Sequence, residues 1–270
     1  MIDYHYSKLL ELILTYGPTV KVRDNICEML PNLQFNAFSE TPLVTVRKTA
    51  WKTALREMEW FLSGSTNIND AHPSLKPWWE PWANSEGEIK NSYGKQFRHY
   101  GDSNFDQVEN LISKLKKDPT SRSNMITTWN PKDMMDAPIA NCHGSLIKFY
   151  FAQGMLYLTM VQRSCDMIVG VPHNWIQYTA FLMWVCDQVG TCPGGFTWIG
   201  LDCHIYQEHI EIAEKIVRAV KTKKARKQKV STPPTLVLQR SNDKFKADDF
   251  TMSGDDIPEP LVTDKPELII

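Results

Sequence analysis

The chain lacks any long hydrophobic run. Its longest mostly apolar stretch, Tyr178 to Cys186, falls far short of the roughly 18–20 residues that span a bilayer, so no membrane segment is expected. Charge of one sign is lacking too. The 30 Lys and Arg against 31 Asp and Glu leave a net charge of −1, which argues against a protein devoted to nucleic acid or to an anionic membrane surface. The six cysteines include no CxxC pair, and Cys142-His143 has no second ligand pair at zinc-finger spacing, so no metal site is expected. The N-terminal MIDYHYSKLLELILTYG has neither a basic region nor a cleavable small-residue site. Free thiols in a reducing cytoplasm are therefore expected, the host's if the gene is viral. With no repeat and no Gly/Ser linker, residues 1–270 read as one continuous domain.

What is present describes an ordinary globular protein, 42% hydrophobic and 23% charged. The nine tryptophans suit an aromatic-lined pocket for a flat ligand, although large core residues account for most of them equally well. Leu9, Leu10 and Ile13 recur at helical spacing. Residues 19–29 read as a polar loop and 33–38 as a strand. Residues 53–62 read as a buried helix stopped near Gly64, and 70–100, with close tryptophans and prolines, as a long loop region. A helix is expected over 105–117 and strands over 125–129, 146–151 and 155–162, the last two joined by the short Ala152-Gln153-Gly154 turn. Helices at 175–189 and 204–220 and a strand at 235–239 complete the pattern. The basic run 221–229 reads as a solvated surface loop, not a nucleic-acid contact. Strands and helices mixed without regular alternation indicate an α+β fold.

Chemistry points first to Cys142, in a turn feeding a strand, whereas the other five cysteines sit mostly in apolar or helical contexts. A Cys-His peptidase is the competing class, but adjacent residues of a turn or strand usually point apart, which places His143 poorly as a base. The run Gln162-Arg163-Ser164-Cys165-Asp166, followed by Gly170-Val171-Pro172-His173-Asn174 and Tyr178, resembles the thymidylate synthase signature. Cys142-His143, Asp202-Cys203-His204-Ile205-Tyr206, the stretch from Glu57 to Ile68 and Tyr93-Gly94-Lys95-Gln96-Phe97-Arg98 resemble further motifs of that family, in the same order.

The resemblance implies a thymidylate synthase-like mixed sheet with flanking helices, a homodimer, and one-carbon transfer from 5,10-methylenetetrahydrofolate to C5 of a pyrimidine deoxynucleotide monophosphate. It makes Cys142 the nucleophile that adds to C6. Arg163 would bind the nucleotide phosphate, together with Arg23 (Lys21 competes) and with Arg122 reaching across the dimer. Ser164, His204 and Tyr206 would hold the nucleotide, the last two at the ribose 3′-hydroxyl. Asn174 would read the base edge, and an Asn there favours uracil over cytosine. Glu57 would relay protons to O4, and Tyr93 would lie near C5. Asp166, Gly170, His173, Trp79 and Trp82 would line the folate site.

The departures bear on the product. Where synthases carry Phe this chain has His173, Asn141 replaces a proline, Arg122-Ser123 replaces two adjacent arginines, and the tail lacks the tyrosine motif that closes a synthase. Residues 56–61 and 87–94 resemble viral dCMP hydroxymethylases. A polar His173 beside an unsealed site would admit water to the methylene intermediate, so 5-hydroxymethyl-dUMP is the expected product. Thymidylate synthesis and a cytosine-nucleotide hydroxymethylase are the alternatives.

Overall fold

The computed structural model describes residues 2–38, 40–222, 233–254 and 257–269. The helices are α1 (Ile2–Tyr16), α2 (Trp51–Ser63), α3 (Lys76–Trp79), α4 (Tyr93–Arg98), α5 (Gln107–Lys117), α6 (Pro131–Met134), α7 (Gly170–Val189) and α8 (Ile210–Lys221). The strands are β1 (Thr19–Val22), β2 (Asn25–Ala37), β3 (Met125–Ile126), β4 (Leu146–Ala152), β5 (Met155–Asp166), β6 (Cys192–Tyr206), β7 (Thr235–Leu238) and β8 (Phe250–Ser253). Six of them form one mixed sheet in the order β1-β2-β6-β5-β4-β3, and β7 pairs with β8. Within the large sheet only β5 and β6 are parallel, and α7 is the crossover between them. The α+β class, mixed sheet and flanking helices are those the sequence implies.

One face of the sheet is the floor of the core. Leu156, Leu158 and Met160 of β5 are fully buried, while Tyr157, Thr159 and Val161 between them stay half-buried on the other face. Helix α7 lies across the buried face and is buried around most of its circumference, with Asn174 and Gln177 among its few polar buried residues. Helix α2 packs on α7 and stops at Gly64, whose φ of 86° makes it a left-handed cap. The hairpin turn at Gln153-Gly154 is also as expected, with φ of 51° and 80°. Among the described residues no helix is long and apolar enough to cross a membrane.

Several elements differ from the sequence reading. Residues 19–29 are β1 and the start of β2, not a loop; β1 is a short exposed edge strand, and the charged Lys21-Val22-Arg23-Asp24-Asn25 stretch at its turn hides it. The expected helix at 204–220 is strand to Tyr206 and helix only from Ile210. Helix α7 starts five residues early because Gly170 and Pro172, which look like breakers, fit its first turn. The region 70–100 coils into short helical turns, including α3 and α4. The strand at 125–129 shrinks to Met125–Ile126. The basic run lies outside the described residues from 223 onward.

Candidate active site

Above the carboxyl ends of β5 and β6 opens a cleft of about 210 Å³. Its lining brings together Glu57, Trp79, Trp82, Tyr93, Cys142, Ser164, Asp166, Gly170, His173, Asn174, His204 and Tyr206, twelve of the residues singled out in the sequence. A larger cavity of about 580 Å³ lies on the outer side of α2 among Arg56, Glu59, Arg98 and Lys246, and holds none of them.

Cys142 is half-buried on the loop entering β4. Its N–H and that of His143 both donate to the Tyr93 hydroxyl oxygen, at 2.7 and 3.1 Å. Tyr93, expected beside C5, therefore spends its acceptor capacity on holding the nucleophile's backbone and keeps only its O–H to donate. Burial pushes the Cys142 thiol up; the nearby charges of Arg163 and Arg23 pull it down, and Asp166 adds to the rise. One Nη of Arg163 stands 4.0 Å from Sγ. Asn141, where synthases carry proline, anchors the loop by donating from Nδ2 to the Thr128 carbonyl at 3.0 Å.

Glu57 is buried on α2, and its carboxyl accepts from the Trp79 indole and the Gln177 amide. Burial raises it to about 7 in spite of those two bonds. An indole N–H can only donate, which gives the neighbouring amides a direction. Trp198 Nε1 donates to Gln162 Oε1 at 2.9 Å, Gln162 Nε2 to Asn174 Oδ1 at 3.0 Å, and Asn174 Nδ2 to Gln177 Oε1 at 3.0 Å. Gln177 Nε2 ends the chain on Glu57 and on the Ala54 carbonyl. Asn174 is thus held in one orientation, with one oxygen lone pair and one N–H left over.

His173 does not have the free polar edge expected of it. Nδ1 faces the Val169 carbonyl at 2.7 Å, so it carries the proton, and Nε2 accepts the Ala50 N–H at 3.2 Å. Burial lowers its pKa to about 4, which keeps the ring neutral. His143 is likewise neutral, lowered to about 3 by burial, and pairs with the Tyr178 hydroxyl at 2.9 Å. Asp166 Oδ1 accepts from the Ile168 and Val169 N–H groups, and among the described residues no hydrogen bond reaches its other oxygen. Burial pushes the Tyr206 hydroxyl up to about 12.

None of the three predicted phosphate arginines, Arg23, Arg122 and Arg163, is among the cleft's lining residues, although Arg163 stands beside Cys142. Arg23 sits in the β1–β2 turn with φ of 56°, yet its charge reaches Cys142, an effect not seen from Lys21. Arg122 is exposed and does not line the cleft. Sequence reasoning missed Trp78, Gln177, Leu268 and Ile269. Gln177 was findable, one helical turn from Asn174 on the same face of α7. The tail, expected to leave the cleft open, brings Leu268 and Ile269 into its lining.

The family model described as "Thymidylate synthase" matches residues 4–262. The thymidylate synthase of Baumannia cicadellinicola subsp. Homalodisca coagulata is 31% identical over 266 residues, which cover 95% of this chain and 97% of that protein. An α+β cleft that joins a thiol, a buried carboxyl and an oriented amide agrees with both matches: the chain belongs to the thymidylate synthase family.

Proposed function

We propose that the protein transfers a one-carbon unit from methylenetetrahydrofolate to C5 of dUMP and releases dTMP and dihydrofolate. Membership of the family makes it a folate-dependent transferase acting on a pyrimidine nucleotide, with methylenetetrahydrofolate as co-substrate. The observation that carries the finer reading is the fixed orientation of Asn174 opposite Cys142 in one cleft. Its spare oxygen lone pair suits uracil N3–H and its spare N–H suits O4; cytosine presents the reverse pattern, and Gln162 and Gln177 oppose the flip that cytosine would need.

Uracil C5 is a poor nucleophile until something adds across the C5–C6 bond. Sγ of Cys142 adds at C6, and the displaced electron pair makes C5 an enolate carbon. Arg163, within reach of Sγ, takes the nucleotide phosphate as a charge-assisted partner. Glu57, at about 7, can give or take a proton near neutrality at the O4 side. Tyr93 holds Cys142 in place, and His204 and Tyr206 close the sugar end.

The cleft fits a flat conjugated co-substrate, with Trp78, Trp79 and Trp82 as walls and the second Asp166 oxygen as a polar partner. Methylenetetrahydrofolate supplies the carbon and, for a methyl product, the hydride. Leu268 and Ile269 at the rim and a His173 with both nitrogens bonded favour a dry site, and hence methyl. The second reading, 5-hydroxymethyl-dUMP, is favoured by the presence of an imidazole at position 173 in the lining.

Incubation with dUMP and methylenetetrahydrofolate tests both. Dihydrofolate is followed by absorbance and the nucleotide identified by mass. Stoichiometric dihydrofolate with dTMP supports the proposal, and hydroxymethyl-dUMP without dihydrofolate replaces it with the second reading. Turnover of dCMP alone would show that Asn174 is misread.

A further inference from the structure

The Arg163 guanidinium has three holds. Nε donates to the Asn141 carbonyl at 3.3 Å, an Nη to the Ala140 carbonyl at 3.2 Å, and the Trp129 ring centroid lies 5.1 Å from Cζ. The Nη that reaches Ala140 is also the one 4.0 Å from Sγ, and two long carbonyl bonds on one edge leave the plane of the group free to tilt and that nitrogen free to shift between carbonyl and sulfur. A ring against the guanidinium removes that freedom.

The ring is mounted on the nucleophile's own framework. Thr128 N–H donates to the Gly144 carbonyl at 2.9 Å, and the Thr128 hydroxyl to the His143 carbonyl at 2.8 Å. The Thr127 hydroxyl donates to the Ser145 carbonyl at 2.7 Å, and Asn141 reaches back to the Thr128 carbonyl. Ring and sulfur thus belong to one braced piece of chain, which Arg163 meets from β5.

We propose that Trp129 is a positioning residue for the nucleophile, its ring holding the Arg163 guanidinium against Sγ of Cys142. The inference rests on Cys142 as the reacting thiol, but its test needs no turnover. The charged and titratable groups that face the sulfur are Arg163 and Asp166 of β5, Arg23 of the β1–β2 turn, Tyr93 of α4 and Tyr206 of β6. Trp129 contacts Arg163 among these.

Alkylation of Cys142 by iodoacetamide, followed by peptide mass against pH, reads the thiolate directly. Trp129→Leu is expected to move the pH midpoint upward and slow alkylation at pH 7 by about threefold to tenfold, a cation–π-sized effect. Trp129→Phe keeps a ring face and is expected to lose less than half of that effect on a logarithmic scale. In an Arg163→Ala background Trp129→Leu should change nothing further. An unmoved midpoint in both Trp129 variants would overturn the proposal, as would an equal slowing by Trp129→Leu with Arg163 absent. If Trp129→Leu does not fold, Trp129→Phe against wild type decides by the direction of its shift. Failure of dUMP turnover alongside these shifts would count against the function proposed above, not against the positioning role.

Discussion

A carboxyl group sealed in protein keeps its proton to higher pH, and Glu57 is pushed up to about 7 by its burial. Its native value therefore exceeds that of the unfolded chain. The stability contributed by the protonated form is complete below about pH 4.5 and is lost as pH rises through about 7. Glu57→Gln removes the buried charge but turns an NH2 toward one of its two donors, the Trp79 indole or the Gln177 amide. Relative to wild type it should gain up to about 3 kcal/mol of stability between pH 5 and pH 8, set against a loss of about 1 kcal/mol at both. The same variant should lose about a hundredfold or more in kcat if Glu57 moves protons to and from O4. Thermal melts at the two pH values and steady-state rates check both halves. His173 yields a contrasting expectation, because its nitrogens are taken by Val169 and Ala50. His173→Phe should leave the nucleotide product unchanged and cost about 1 kcal/mol of stability, since the Ala50 N–H loses its acceptor. A switch from hydroxymethyl-dUMP in the wild type to dTMP in that variant, read by mass, would restore the histidine as a water-holding group. The cleft residues were legible because each carries a functional group at a motif position. The bonding state of His173 and Tyr93 was not, since it depends on Ala50 and Val169, which no motif marks, and on the backbone N–H groups of Cys142 and His143, whose direction no motif gives.

Between residue and fold stands Gly144, at the junction of the nucleophile loop and β4. Its φ is 68°, and a Cβ there would overlap the Tyr178 hydroxyl that pairs with His143. Gly144→Ala carries both a backbone penalty and a steric one, and should destabilise by about 2–4 kcal/mol. Its activity loss should exceed what instability explains, because the Tyr178–His143 pair beside Tyr93 shifts with it. Denaturant midpoints and rates at a temperature where the variant is fully folded separate the two effects. At this scale the sequence was readable where period and punctuation agree. Helices α2 and α5 and the β4–β5 hairpin match to within a few residues. It was unreadable at β6, a central strand flanked by strands on both sides. Its burial alternates from Gly194 to Leu201, but its residue types do not, with apolar Ile199 and Leu201 on the more exposed face; its start is masked by Pro193-Gly194-Gly195, and its end runs into helix-forming residues. Gly194 and Gly195 are small there because Tyr157 and Phe38 crowd them, a tertiary reason that no local pattern shows.

At the scale of the whole molecule, one face of the main sheet is only partly covered by the described residues. Tyr157, Thr159 and Val161 of β5 stand there half-buried, beside Thr197 and Leu201 of β6 and Tyr150 of β4. Half-exposed apolar groups on a broad sheet are what a second copy would cover. Arg122 is exposed and does not line the cleft; a homodimer would require it to reach a neighbour's site. A homodimer that shares residues between sites makes a specific arithmetic prediction. Cys142→Ala and Arg122→Ala should each be nearly inactive alone, or raise KM for dUMP strongly in the second case. Mixed after reversible dissociation, they should regain activity, because a heterodimer holds one site with an intact Cys142 and an intact partner arginine. Random pairing makes half of the dimers mixed, each with one good site of two, so recovery should approach about a quarter of wild type. Sedimentation checks that mixing exchanges subunits. Exchange without recovery would place Arg122 outside the neighbouring site, whereas a monomer at micromolar concentration would leave the partly covered sheet face without this occupant.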